Sequence, residues 1–221
     1  MKRLFTAAAA ALLLLTGCTE GSSSGQAIRF TGEMPAQLTR SDLDRMQVQY
    51  TEEDGSITEI KGAFVSFPVE TGEDAFRALA SVSELFGIRD LSSEMRLVYS
   101  TDSSSACNYF FAQYVGDVPV AGIRTVLYAD PGSHAVRRIH NSYLPDLQID
   151  TEPKLSAKDA RNKAEEICKA DAEGKPELLI IIWQSTPTLV WYVETDGAAP
   201  SAVYLDAQSG EVVEAIYPAD D

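Results

Sequence analysis

The sequence predicts an α+β fold of two related units, each an antiparallel sheet covered by one helix. Three observations predict it. Thr125–Ile139 and Ala202–Ile216 read as the same hairpin, a β-branched and aromatic run, an Asp-containing turn with Gly, and a second alternating run. Each hairpin follows two further alternating runs, and each set of strands follows an amphipathic stretch at helical spacing. The order helix, strand, strand, hairpin therefore occurs twice, and antiparallel sheets are the economical way to connect it.

The chain has 221 residues. Lys2 and Arg3 precede an apolar run, Leu4–Leu15, that is too short for a comfortable membrane span, and Leu15-Thr16-Gly17-Cys18 has the form of a lipobox. The combination resembles a bacterial lipoprotein signal. It implies that residues 1–17 are a signal peptide and that the Cys18 thiol receives a diacylglycerol. Gly21-Ser22-Ser23-Ser24-Gly25 is a flexible tether, and residues 18–45 as a whole read as lipidated cysteine, tether and irregular lead-in. The expected location is the cell membrane, lipid-anchored and facing outside the cytoplasm, with contact through the anchor alone.

The folded part is expected to begin at Met46. Met46–Thr51 and Ile57–Phe67 alternate around the Glu53-Asp54-Gly55 turn. Thr71 is a good N-cap, and Ala75, Phe76, Leu79, Val82, Leu85 and Phe86 keep helical spacing as far as Gly87. Strands are expected at Arg96–Ser100, Cys107–Val115, Ile123–Ala129 and Ala135–Tyr143. Pro145, Asp146, Asp150 and Pro153 interrupt any regular element across Leu144–Lys154, so the first domain is set at 46–146 and the second at 153–217. Ser156 caps a helix running to about Ala172, with Ala160, Ala164, Ile167 and Cys168 on one face. Strands follow at Glu177–Gln184, Thr188–Glu194, Ala202–Asp206 and Glu211–Tyr217, and the apolar run Leu178–Trp183 is expected to lie centrally.

Hydrophobic residues make up 45% of the chain, normal for a folded body. Without residues 1–17 the chain keeps 16 basic and 33 acidic residues, a formal charge of −17. That balance disfavours a nucleic-acid partner and repels anionic headgroups. Solubility or a basic partner would each explain it.

Chemistry-bearing motifs are few. Gly21-x-Ser23-x-Gly25 matches a nucleophile elbow only formally, because it lies in a polar tether and not at a strand-to-helix turn. There is no P-loop or dinucleotide fingerprint. His134 and His140 are the only histidines and do not form a ligand set, so no metal or other cofactor is expected. The carboxylates are scattered, no acid–base pair stands out, and the chain is not expected to be an enzyme. With Cys18 committed to lipid, Cys107 and Cys168 remain. They could form a disulfide outside the cytoplasm or stay as buried thiols, and both readings are open. The Gly116-Asp117-Val118-Pro119-Val120 segment is the candidate partner-binding loop. It would either present a short apolar edge to a partner or be an ordinary hairpin whose valines feed the core.

Gly55–Tyr143, with Leu85-Phe86-Gly87 and Phe111–Gly122, resembles the propeptide domain of thermolysin-like and fungalysin-like metalloproteases. Pro153–Ile216, with Leu155–Ala160 opening a helix and Val203–Val213 closing the domain, is similar to a PepSY domain. The chain contains no His-Glu-x-x-His. The resemblance then implies a free-standing, non-catalytic module that binds and inhibits or chaperones a secreted thermolysin-like metallopeptidase carried on another chain. An envelope binding or sensory scaffold with no protease partner is the alternative.

Overall fold

The computed structural model describes residues 27–196 and 200–217, so the signal segment and Cys18 lie outside the described residues. Among the described residues, eleven strands form one sheet and four short helices accompany it. The first part of the chain supplies β1 (Ile28–Arg29), β2 (Gln49–Glu53), β3 (Ser56–Lys61), β4 (Met95–Asp102), β5 (Cys107–Val115), β6 (Val118–Ala129) and β7 (Val136–Asn141). The second supplies β8 (Ala172–Trp183), β9 (Thr186–Thr195), β10 (Ala202–Asp206) and β11 (Val212–Ile216). The helices are α1 (Arg40–Arg45), α2 (Gly72–Ser81), α3 (Leu91–Glu94) and α4 (Ala157–Cys168).

This architecture corrects the expectation of two units, each with its own antiparallel sheet and a single helix. The sheet is mixed and continuous, running β1-β4-β5-β6-β8-β9-β10-β11, with β7, β3 and β2 branching from β6. The physical reason lies in β6, which is long enough for two partners. Along one edge it pairs with β5. On the other edge its C-terminal half, Thr125–Ala129, pairs antiparallel with β7, while Val120 near its start pairs in parallel with Ile180 of β8. Ile123 was the expected start of this strand, and its true start at Val118 is what reaches the second half. Three helices, not one, accompany the first half.

Helix positions follow from capping. Thr71 and Asp74 form a reciprocal box at the start of α2, as Thr39 and Asp42 do for α1. Ser156 accepts from the Asp159 amide to start α4, and Lys169, with a φ of 52°, ends it. All four helices face one side of the sheet. Phe76 and Leu79 of α2, Leu43 of α1 and Leu91 of α3 share a core with Phe111 and Leu127. Ala160 and Ala164 of α4 share a second core with Val118, Val120, Ile180, Trp191 and Leu205. Alternation along β5 places Tyr109 and Phe111 in the first core and Val115 against the second, so both cores lie on the same face.

The two look-alike hairpins share one turn. Asp130 Oδ1 accepts from the amides of Gly132 and Ser133 at 2.9 and 2.8 Å, and Asp206 Oδ1 accepts from Gln208 and Ser209 at 2.8 and 2.7 Å. The residue closing each turn has positive φ, 56° at His134 and 76° at Gly210. Each turn also receives the chain entering a helix: Val69 N–H donates to the His134 carbonyl, and Lys154 and Leu155 N–H donate to the Ala207 carbonyl.

Val120 is fully buried and holds the only register pair between the two halves among the described residues. Val120→Ala should lower stability by about 2 kcal/mol and shift one cooperative urea transition. Separate unfolding of the halves in the unsubstituted protein would contradict the coupling through β6.

Candidate functional site

The pairs Tyr114↔Pro119 and Val115↔Val118 leave Gly116-Asp117 as a two-residue turn between β5 and β6, with Gly116 at a φ of 60°. The Asp117 side chain is 83% exposed, yet it is held. Its Oδ1 accepts from Arg96 at 2.7 Å and from Arg29 at 2.6 Å. Arg96 also donates to the Gly116 carbonyl at 2.8 Å and lies 3.8 Å over the Tyr114 ring. Hydrogen bonding from Arg96, then the charge of Arg29, keeps the Asp117 carboxyl below the usual carboxylate range. The turn is thereby clasped to β4 and to β1, a two-residue strand within the 18–45 segment expected to be irregular.

The remainder of the candidate loop is not an accessible apolar edge. Val118 and Val120 are buried in the second core, and the Val120 backbone is occupied by β8. Their apolarity stabilises the junction, and only Gly116 and Asp117 are exposed.

Beside the turn lies a polar cleft of about 290 Å³, walled by Gln113–Gly116, the α3 region and the segment after β7. Gln113 is buried and clamps Leu144, donating to its carbonyl at 2.8 Å and accepting its amide at 2.9 Å. The Tyr143 hydroxyl donates to Glu94 Oε2 at 2.9 Å, and burial followed by that bond pushes its pKa up. Arg89 and Asp146 form an ion pair at the same wall. The cleft is therefore lined by amide, hydroxyl, guanidinium and carboxylate groups that pair within the chain, with the exposed Arg89 and Asp146 at its rim. Sequence reasoning found the turn but missed Arg29, Arg96, Glu94 and Tyr143. Their roles depend on strand neighbours and on a segment outside any regular element, for which no local pattern exists.

Cys107 and Cys168 are not joined. Both are free and buried, Cys107 in the first core and Cys168 at the end of α4 in the second. Cys107 Sγ donates to Asp102 Oδ1 at 3.2 Å, and burial, then that bond, raises its pKa, which suppresses thiolate reactivity. Among the described residues no group of three or more His, Cys, Asp or Glu side chains is placed to hold a metal ion. Cys18 lies outside the described residues.

No family model matches the chain, and neither does any curated protein. Among solved structures it is similar to the Bacillus megaterium YpeB C-terminal domain, at 11% identity and a TM-score of 0.42, over 76% of this chain and 74% of that one.

Two measurements check this site. Alkylation after unfolding without reductant should modify both Cys107 and Cys168, whereas a mass unchanged by alkylation at these positions would show a disulfide. Asp117→Asn should raise amide exchange around Arg29 roughly threefold by loosening β1. The clasp's pH dependence has a fixed sign. A carboxyl with a depressed folded pKa stabilises above the ordinary carboxylate pKa and loses that effect as pH falls through the folded value, so β1 protection should hold at about pH 5 and decline below about pH 4.

Proposed function

We propose that this protein is a non-catalytic, lipid-anchored envelope module that faces outside the cytoplasm and modulates a secreted peptidase. On this reading the Gly116-Asp117 turn and the adjoining cleft are its contact region. One observation carries the proposal: the segment with the most specific propeptide-like resemblance, Gln113–Val120, both walls the polar cleft and forms the clasped, exposed turn. The lipobox ending in Cys18 and the tether after it support an anchored location. The propeptide-like and PepSY-like resemblances support a peptidase as partner, bound through an interface on the order of 1,600 Å². Peptide backbone or side-chain groups from that partner would reach the exposed Asp117 at the turn and Arg89 and Asp146 at the cleft rim.

A scaffold or sensory module without a protease partner is the second reading. The side of β8–β11 that is helix-free among the described residues, where Glu177 is exposed beside the buried Tyr192 and Tyr204, favours it by giving the body a second charged surface.

The test is capture of exported proteins of the producing cell by the chain from Thr19 onward, followed by inhibition and refolding assays on any peptidase recovered. A zinc peptidase bound in near-equal amount is expected, with Asp117→Lys weakening the complex at least about tenfold, as central charged contacts do. Recovery without any peptidase would favour the scaffold reading.

A further inference from the structure

The face of the sheet opposite the helices carries its own charge pattern. Register places Tyr99, Phe110, Val126, His140 and Glu59 in one row across β4, β5, β6, β7 and β3. The neighbouring row contains Asn108, Tyr128, Arg138 and Lys61, and Ala112 brings Arg96 and Arg124 onto the same side. Glu59 is the only carboxylate in these rows, set against Arg124, Arg138 and Lys61, Arg96 being paired with Asp117, and it pairs with Lys61 at 2.6 Å and Arg138 at 3.5 Å. Tyr99 stacks on Phe110 with ring centroids 4.1 Å apart, and Arg138 lies 4.1 Å over the Tyr128 ring. These three rings are half-buried and no helix of the described residues packs on them.

The other branch of the same face has the opposite sign. Glu177, Tyr192, Tyr204 and Glu214 form one row across β8, β9, β10 and β11, and Glu194 accepts from the Tyr192 hydroxyl at 2.8 Å. No Lys or Arg is register-paired in this row or its neighbours, and Lys175 sits in the irregularity of β8 between Glu173 and Glu177. Burial, then the nearby Glu194, pushes the Glu177 carboxyl up, as expected for carboxylates lacking a cation within the chain.

We propose that this helix-free face binds a second copy of the chain: Glu177 and Glu214, accessible beside the buried Tyr192 and Tyr204 on the acidic β8–β11 branch of one, lie over the basic, aromatic β7–β3 branch of the other. Topology makes the match geometric as well as electrostatic. Both branches leave the same edge of β6, one from its N-terminal half and one from its C-terminal half. A two-fold axis lying along the sheet and crossing β6 near Gly122 exchanges those halves while turning the face over. Each acidic row then meets a basic one, and the same contact is made twice, as an isologous dimer requires. Aligned sheets about 10 Å apart bring such rows within reach of each other. This inference is independent of any peptidase partner.

Sedimentation of the chain from Thr19 onward, which keeps every described element, tests it at about 100 μM, roughly tenfold above a Kd of about 10 μM. A dimer is expected. The double substitution Lys61→Glu with Arg138→Glu and the double substitution Glu177→Lys with Glu214→Lys should each give monomers, and an equimolar mixture of the two should recover a heterodimer. A monomeric parent chain, or swapped variants that stay apart on mixing, would overturn the proposal. Should a swapped variant fail to fold, carbodiimide coupling of the parent chain decides: Lys61 should link to Glu177 or Glu214 between isotopically labelled and unlabelled copies, and no such mixed link would overturn it. A chain that stays monomeric and sediments with anionic vesicles through Arg138 would assign the face to a membrane surface and overturn it as well.

Discussion

The parallel contact between Val120 and Ile180 is the constraint on which the rest of the structure depends. A strand has two edges, and each must find partners for its backbone groups. β6 gives one edge to β5 and divides the other between β7 and β8, which depart from it in different directions. The division requires a break in the ladder. Pairing runs from Ala112↔Arg124 directly to Tyr114↔Pro119, so several residues of β6 stand opposite Gln113 alone. Gly122, with a φ of 76°, lies inside that break. The Gln113 side chain, freed from a regular ladder position, turns to the Leu144 backbone and fixes the start of the linker. The polar cleft is thus a by-product of the fork.

What was legible in the sequence was local, and what was hidden was pairing. The hairpins at Thr125–Ile139 and Ala202–Ile216 were visible because an aspartate that accepts from the next amides writes its turn into a few consecutive residues. α2 and α4 were visible through cap and periodicity together. α1 was not, although Thr39 and Asp42 form the same box, because only Leu43 of its six residues is buried and no apolar stripe marks it. α3 and the two-residue β1 are too short to carry any period. Which strand would accept the free edge of β6 is a fact about residues 60 positions apart, and alternation gives face without giving partner. Hence the content of strands was anticipated while the fold class was not. Within the candidate site the same limit applies: Gly116 and Asp117 announce a turn, but nothing around Arg29 or Arg96 announces that they close on it.

The acidity of the chain, −15 in formal charge, also has a local explanation in part. Asp42, Asp74 and Asp159 sit in the first turns of α1, α2 and α4, where they receive amide or hydroxyl hydrogens and oppose the helix dipole. Asp90 caps α3, and Asp130 and Asp206 hold the two hairpin turns. Multiple hydrogen bonds from Ser133 and Gly132 keep the Asp130 carboxyl strongly below its ordinary range. These six groups do structural work and are not a partner's footprint. The informative charges are those that capping does not use, the row of Glu177 and Glu214 and the cations around Tyr128.

Rigidity at the Gly116-Asp117 turn follows from the same architecture. A hairpin tip is ordinarily the most mobile part of a sheet, since only one pair of strands holds it. Here the residues on either side, Val115 and Val118, both pack with the second core, while Arg96 ties the tip back to β4 of the first. The Arg96 guanidinium is stacked on Tyr114 and its side chain is only 12% exposed, so its donors are fixed in direction before anything approaches. Pre-ordering of this kind removes the entropy that a free loop would lose on binding. It also ties the tip to the second core through Val118 and to β4 through Arg96. Asp117 is thus linked to β1 through Arg29 and stands three residues from Val120, the pairing partner of β8, so the tip is held by the same few residues that hold the sheet together.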